Sequence, residues 1–241
     1  MKNSRTHGET VHSGGRMLFP ISVGNRRFSF DRVRSALRPL LSGQYSECVF
    51  LIADQLHLYN KVRHVASGQE LGKALNQFRT RNRELETRKA WLRNLEESFR
   101  REGDSKSWTI ISSNDVSDVN YAHVHRRLLA AFSAVRSFRD EIQSTARTFL
   151  SNRFGDEVNE TWCRLSEYYL IEELALNVRV RIWNDIRDEY YLGDFHSPLL
   201  RLYGGAYGFT VGDLTGKEVN GLDFRFHHLE AEPAQWEVAV A

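Results

Sequence analysis

Two groups of residues in this chain are equipped for chemistry. The first is Ser22, which closes the apolar run Leu18-Phe19-Pro20-Ile21 and is followed by Val23-Gly24-Asn25. A serine delivered to the end of a buried strand is a candidate nucleophile; the same serine also suits the cap of a following helix. The second group is Tyr168-Tyr169-Leu170-Ile171-Glu172-Glu173. Tyr169 and Glu173 share one helix face, as do Tyr168 and Glu172 one position round. Leu165, Leu170, Leu174 and Leu176 imply that much of this helix is buried. A buried carboxylate needs a partner, and a substrate ammonium would serve; a tyrosine–glutamate hydrogen bond at a helix surface is the plainer alternative. Further on, Tyr190-Tyr191-Leu192-Gly193-Asp194 brings another phenol and carboxylate together at a loop or strand end.

The elements that must position these residues follow from hydrophobic periodicity. Strands are expected at Leu18 to Val23, Glu47 to Ala53 and Ser107 to Ser112. Helical spacing runs from Phe30 to Leu41, about Gly68 to Arg101, Val119 to Arg153 and Glu157 to Trp183. Strands alternating with helices predict parallel βαβ units and a doubly wound α/β sheet. In such sheets ligands bind at the carboxyl edge, where Ser22 would sit. The tail from Tyr203 onward mixes glycine pairs with short β-rich runs such as Leu222 to Phe226. Residues 1–16 are polar without an apolar core, which predicts a disordered leader rather than a secretory signal; 17–241 suit one catalytic domain.

Charge is the next signal. The net charge is only +2, so a basic surface must be local. On a wheel of about 100° per residue, Arg79, Arg83, Lys89, Arg93, Arg100 and Arg101 fall within one arc of roughly 120°. Phe78, Leu85, Leu92, Leu95 and Phe99 occupy the neighbouring arc and would face the protein. Glu86 and Glu97 dilute the stripe without cancelling it. Such a stripe suits a phosphate backbone, although it does not by itself separate RNA from DNA or an acidic protein. Two cysteines, Cys48 and Cys163, lie far apart in apolar contexts, so core filling in a reducing cytoplasm is expected rather than a disulfide. No apolar run of about 18 residues predicts a membrane helix. The His227-His228 pair lacks ligand spacing and reads as solvent-exposed imidazoles, with no metal and no cofactor expected.

Four anchors, in order, resemble the cyclodipeptide synthases: Ile21-Ser22-Val23-Gly24-Asn25, the long basic helix, Tyr169 to Glu173, and Tyr191 with Asp194 before Ser197-Pro198. The resemblance spans roughly residues 18–214. It implies a Rossmann-like fold similar to the catalytic domain of class I aminoacyl-tRNA synthetases, with a mostly parallel sheet and long helices. It also implies an aminoacyltransferase that builds a cyclic dipeptide from two aminoacyl-tRNAs, without DNA, membrane or cofactor, as a cytoplasmic monomer. Ser22 would be the nucleophile that carries the aminoacyl and then the dipeptidyl group. Tyr169 and Glu173 would hold the ammonium, with Glu173 the first candidate for proton acceptor and Tyr191 a proton relay. Gly24 and Asn25 amides would steady the oxyanion, Val49 and Leu51 would wall the first side-chain pocket, and Asp194 would contribute to substrate binding. The six basic residues of the stripe would bind tRNA. Arg16, Pro20, Ala175 and Leu192 depart from the family pattern, which leaves the subfamily and the amino acids open. Two alternatives remain at this stage: another tRNA-dependent aminoacyl transferase, or a non-catalytic synthetase-like RNA-binding module. A serine hydrolase is disfavoured because Gly-x-Ser-x-Gly is missing.

Overall fold

A computed structural model describes residues 15–22, 27–41, 45–53, 71–155, 158–219 and 223–229, with the side chains of 71–84 and of residue 153 outside that description. The expected leader lies largely outside the described residues. Strand β1 (Gly15–Ile21) begins earlier than expected, so Gly15 and Arg16 belong to the sheet; Arg16 pairs with Glu47 at 2.7 Å. After β1 come α1 (Phe30–Leu41), β2 (Tyr45–Ile52), the long α2 (Leu71–Arg101) and β3 (Ser107–Ser112). A single 3-10 turn (Ser113–Val116) leads to α3 (Val119–Ala134), α4 (Arg136–Phe154) and α5 (Glu160–Trp183). The chain then forms β4 (Asp188–Tyr191), the short helices α6 (Ser197–Tyr203) and α7 (Val211–Thr215), and β5 (Arg225–His228).

The five strands are all parallel, in the order β3-β2-β1-β4-β5. The chain therefore winds outward from β1 to β3 and then returns to the other side of β1. The gap between β1 and β4 is the point where the winding reverses, and ligands bind there in open α/β sheets.

Alternation along the strands supplies both faces with core. Met17, Phe19 and Ile21 join Cys48, Phe50 and Ile52 against α1 and the Leu92, Leu95 and Phe99 face of α2. Leu18, Val49 and Leu51 turn the other way, onto Leu176 and Val180 of α5. A further core, among Val124, Leu128, Phe138, Ile142 and Leu174, welds α3 and α4 to α5. Both cysteines are free and buried, Cys48 within the first of these cores.

One expected helix is two. Val119 to Arg153 breaks at Val135, whose extended backbone (φ −99°, ψ 105°) ends α3 and starts α4. No glycine or proline marks the break. Instead Arg139 reaches back to the Ser133 carbonyl at 3.0 Å, one of the acceptors the turn leaves without a helical partner.

Pro20 shapes the gap between β1 and β4. The Ala53 amide donates to the Ile21 carbonyl at 3.3 Å, so Ile21 faces β2. Strand alternation then aims Pro20 at β4, and proline has no N–H to give. The β1–β4 ladder stops at Leu18↔Glu189; extended by two residues it would set Pro20 opposite Tyr191. The two strands stay unzipped where the candidate residues sit.

Candidate active site

Ser22 follows the last residue of β1 and is half-buried, and Tyr191 is the last residue of β4. The Ser22 hydroxyl hydrogen-bonds the Tyr191 phenol across the strand gap. The Tyr191 ring is wedged between Phe28 and Phe195, with centroids 5.4 and 5.6 Å away. Burial, and then the charge of Glu173, pushes its phenol up in pKa, so it stays protonated at neutral pH. Gly193 lets the ring come close: a Cβ there would stand 2.6 Å from Tyr191 Cε1, so any larger residue would force the ring to shift.

Helix α5 supplies the other pair. Asn159 caps its start by accepting from the Trp162 amide at 3.0 Å, and the helix runs unbroken beneath the strand gap. Tyr169 hydrogen-bonds Glu173 one turn on, and burial followed by the Glu173 charge raises its phenol well above the ordinary range. Glu173 opens on a small cavity whose walls include Pro20, Leu51, Asn177, Glu189, Tyr191 and His196. Thus Ser22, Tyr169, Glu173 and Tyr191, drawn from three elements, meet at the reversal of the sheet. The arrangement pairs a serine hydroxyl with a neutral phenol and sets a carboxylate in the cavity that this phenol lines, groups able to serve acyl transfer to and from an amine.

One wall of the pocket belongs to a polar layer that the sequence does not announce. Asn177 donates to Glu189 Oε2 at 2.8 Å, and Arg181, fully buried, reaches the same oxygen at 3.1 Å. Tyr203 donates to Asn177 Oδ1 at 2.9 Å, which completes the row. Burial raises the Glu189 carboxyl, and Arg181 and Asn177 oppose that shift. Arg181 also lies over the Phe226 ring, 4.4 Å from its centroid.

A family model for cyclodipeptide synthase matches residues 4–181 of this sequence. The chain belongs to the cyclodipeptide synthase family. Members of that family are tRNA-dependent aminoacyltransferases. Among solved structures, a cyclodipeptide synthase from Fluoribacter dumoffii matches with TM-score 0.68 and 16% identity, over 89% of this chain and 88% of that one. A Mycobacterium tuberculosis protein, whose structure relates cyclodipeptide synthetases to type I tRNA synthetases, matches with TM-score 0.61 and 17% identity over 90% and 86%. A cyclodipeptide synthase from Candidatus Glomeribacter gigasporarum, bound to Phe-tRNAPhe, matches with TM-score 0.53 and 16% identity over 94% and 93%. No match was found among curated proteins. The Rossmann-like, synthetase-related fold is therefore that of its family.

Within this cyclodipeptide synthase the remaining expected residues divide. Leu51 lines the pocket, whereas Val49, on the same strand face but farther from the carboxyl edge, is buried beneath it against Leu18 and Leu176. Asp194 sits at the rim, 86% exposed, with Arg27 at 3.7 Å. Leu192 is buried among the α1 and α2 core, so its side chain takes no part in the pocket. Gly24 and Asn25 lie outside the described residues, as do the side chains of Arg79 and Arg83.

On α2 the buried face is Leu85, Leu92, Leu95 and Phe99, as expected. The charged face is more neutralised than the sequence suggests. Glu96 holds Arg100 at 2.7 Å, Glu97 holds Arg101 at 2.6 Å, and Glu86 lies 3.8 Å from Lys89. Arg93 is exposed. Of the histidine pair, His228 is exposed as expected, with its ring 2.8 Å from the Gly193 carbonyl, whereas His227 is half-buried and meets Asp188 at 2.9 Å. Among the described residues no cluster suited to a metal ion is present, and no helix is long and apolar enough to cross a membrane.

Proposed function

We propose that this enzyme condenses two aminoacyl-tRNAs into a cyclic dipeptide by ping-pong acyl transfer through Ser22. The observation that carries the proposal is the Ser22–Tyr191 hydrogen bond at the reversal of the sheet, facing the Tyr169–Glu173 pair. Ser22 Oγ attacks the ester carbonyl of the first aminoacyl-tRNA. The Oγ–C bond forms, the bond to the ribose oxygen breaks, and the serine proton leaves with the tRNA hydroxyl. Covalent capture of this kind keeps the first amino acid while one tRNA is exchanged for another.

Tyr169 and Glu173 hold the ammonium of the bound aminoacyl group. To form a dipeptidyl-enzyme, that same nitrogen must lose a proton and attack the ester carbonyl of the second aminoacyl-tRNA. Glu173, already beside the nitrogen, takes the proton. The peptide bond forms and the second tRNA leaves. In the last step the terminal amine of the dipeptide attacks the Ser22 ester, and Tyr191 relays a proton back to Oγ as the ring closes. Both reacting ends belong to one tethered molecule, so cyclisation outruns attack by water. No step requires a cofactor. The exposed face of α2, Arg93 included, supplies sequence-blind phosphate contacts suited to two different tRNAs. Every residue named lies in one domain of one chain, so a monomer suffices, and charged tRNAs place the reaction in the cytoplasm.

Mass spectrometry of the medium from a bacterial host expressing the chain, beside a Ser22→Ala control, tests the proposal. New diketopiperazine masses that vanish in the control are expected. Masses that persist in the control, or that never form from folded enzyme supplied with charged tRNAs, refute it.

A further inference from the structure

His196 stands at the mouth of α6, immediately before Ser197-Pro198, with extended backbone (φ −73°, ψ 145°). Its Nδ1 accepts the Leu199 amide at 3.3 Å and so caps the helix. A neutral imidazole has one lone pair and one N–H, and the cap uses the lone pair at Nδ1. The proton is therefore on Nε2. That atom is wholly buried and has no hydrogen-bond partner among the described residues. The nearest acceptor is Glu173 Oε2, 3.3 Å away but outside hydrogen-bond geometry. Buried donors are rarely left without an acceptor, and a small rotation of the Glu173 carboxylate would satisfy this one.

From this geometry we infer that His196 is a positioning residue for Glu173, an assignment that deepens the acyl-transfer function proposed above and rests on it. Glu173 is then gripped by two donors from two elements. One is the Tyr169 phenol, a turn earlier on α5; the other is Nε2–H at the start of α6. Tyr169 travels with its own helix and cannot alone fix the carboxylate relative to the sheet edge. His196 can, because α6 is docked beside the strand gap and lines the same cavity. The other ionisable groups around that cavity are Tyr191 and Glu189 from β4, with Asp194 from the loop between β4 and α6. Asn177, the other nitrogen donor on that wall, is spent on Glu189, so His196 is the donor from outside α5 that faces Glu173. Two donors aimed at Glu173 favour its ionised form, so a proton taken from the substrate amine is readily handed onward.

A helix cap and a carboxylate positioner make different demands, and two substitutions separate them. His196→Asn keeps a side-chain acceptor for the Leu199 amide, since asparagine is a strong cap, but its amide is too short to bring a donor to Glu173. His196→Gln places a donor near the position of Nε2 and weakens the cap. The expected result is that His196→Asn keeps the wild-type melting temperature and loses turnover by about 10- to 100-fold. His196→Gln should melt lower and retain most of its turnover. The reverse order, or equal loss in both, overturns the inference.

Nitrogen-15 NMR of the unliganded wild-type enzyme gives a second measurement that needs no substrate. A neutral His196 ring with its proton on Nε2, and a resonance that moves in Glu173→Gln, is expected. A proton on Nδ1, or a resonance indifferent to Glu173→Gln, overturns the assignment. Absence of cyclic dipeptide from the wild type would instead strike the proposed function, leaving the NMR result to decide the His196–Glu173 contact.

Discussion

Replacing Tyr191 with phenylalanine removes one oxygen and leaves the ring. The ring is held by Phe28 and Phe195 at 5.4 and 5.6 Å, so its packing survives the change. What is lost is the phenol oxygen that hydrogen-bonds Ser22. A neutral hydrogen bond contributes about 0.5–1.5 kcal/mol net, and at about 1.4 kcal/mol per decade that slows serine acylation by roughly 2- to 12-fold. Ring closure should suffer more, because there the phenol must also move a proton, a role worth about 10²–10⁴ in rate. The two steps separate experimentally. Rapid quench with labelled aminoacyl-tRNA reports acyl-enzyme formation, and chromatography with mass detection reports cyclic product. Tyr191→Phe should therefore accumulate dipeptidyl-enzyme. Equal small losses in both steps would refute the relay, and unchanged rates in both would remove the Ser22–Tyr191 contact from the mechanism.

Two further substitutions test neighbouring features. Gly193→Ala puts a methyl group where Tyr191 Cε1 would lie 2.6 Å away, so the ring must shift; a displacement near 1 Å predicts about a 10²-fold loss of kcat/KM, and wild-type kinetics would show that the close approach has no role. Asp118→Asn concerns stability rather than turnover. Asp118 caps α3 and is gripped by Arg179 at 2.6 Å, which holds its carboxyl at about 2. A depressed carboxyl stabilises the fold above its unfolded pKa, and that contribution disappears as pH falls toward 2. Asparagine keeps the cap and loses the pair. Because Asp118 is more than one-third exposed, the wild type should exceed Asp118→Asn by no more than about 1 kcal/mol at pH 7. Urea unfolding should show that gap closing between about pH 4 and pH 2; a gap independent of pH would refute the ion-pair account.

Much of this site is legible in the sequence because its main parts obey local periodicities. The run from Leu18 to Ile21 is buried on both faces, and Ser22 follows at the edge that parallel topology assigns to ligands. Tyr169 and Glu173 meet because helix geometry stacks them. Properties that depend on depth or on meetings between elements were hidden. Val49 and Leu51 share a strand face, yet only the residue nearer the carboxyl edge reaches the cavity. Glu189 reads as one acid in the segment DEYY, and its partners Asn177 and Arg181 lie on another element. His196 carried a usable signal, a polar residue directly before Ser-Pro at a helix start, but its aim toward Glu173 depends on how α6 docks. The break at Val135 had no glycine or proline to betray it.

Pro20 has a consequence for how substrates are chosen. A ring nitrogen without hydrogen cannot give its ladder bond to β4, so the covalent chain itself disfavours backbone pairing of β1 with β4 beside Ser22 and Tyr191. The opening belongs to the covalent chain and exists before any tRNA arrives. It is preorganised, so loading the first amino acid incurs no cost of prying strands apart. An opening set by the backbone is a poor gate. In the proposed reaction, discrimination between amino acids then falls to the walls of the cavity, Leu51 among them.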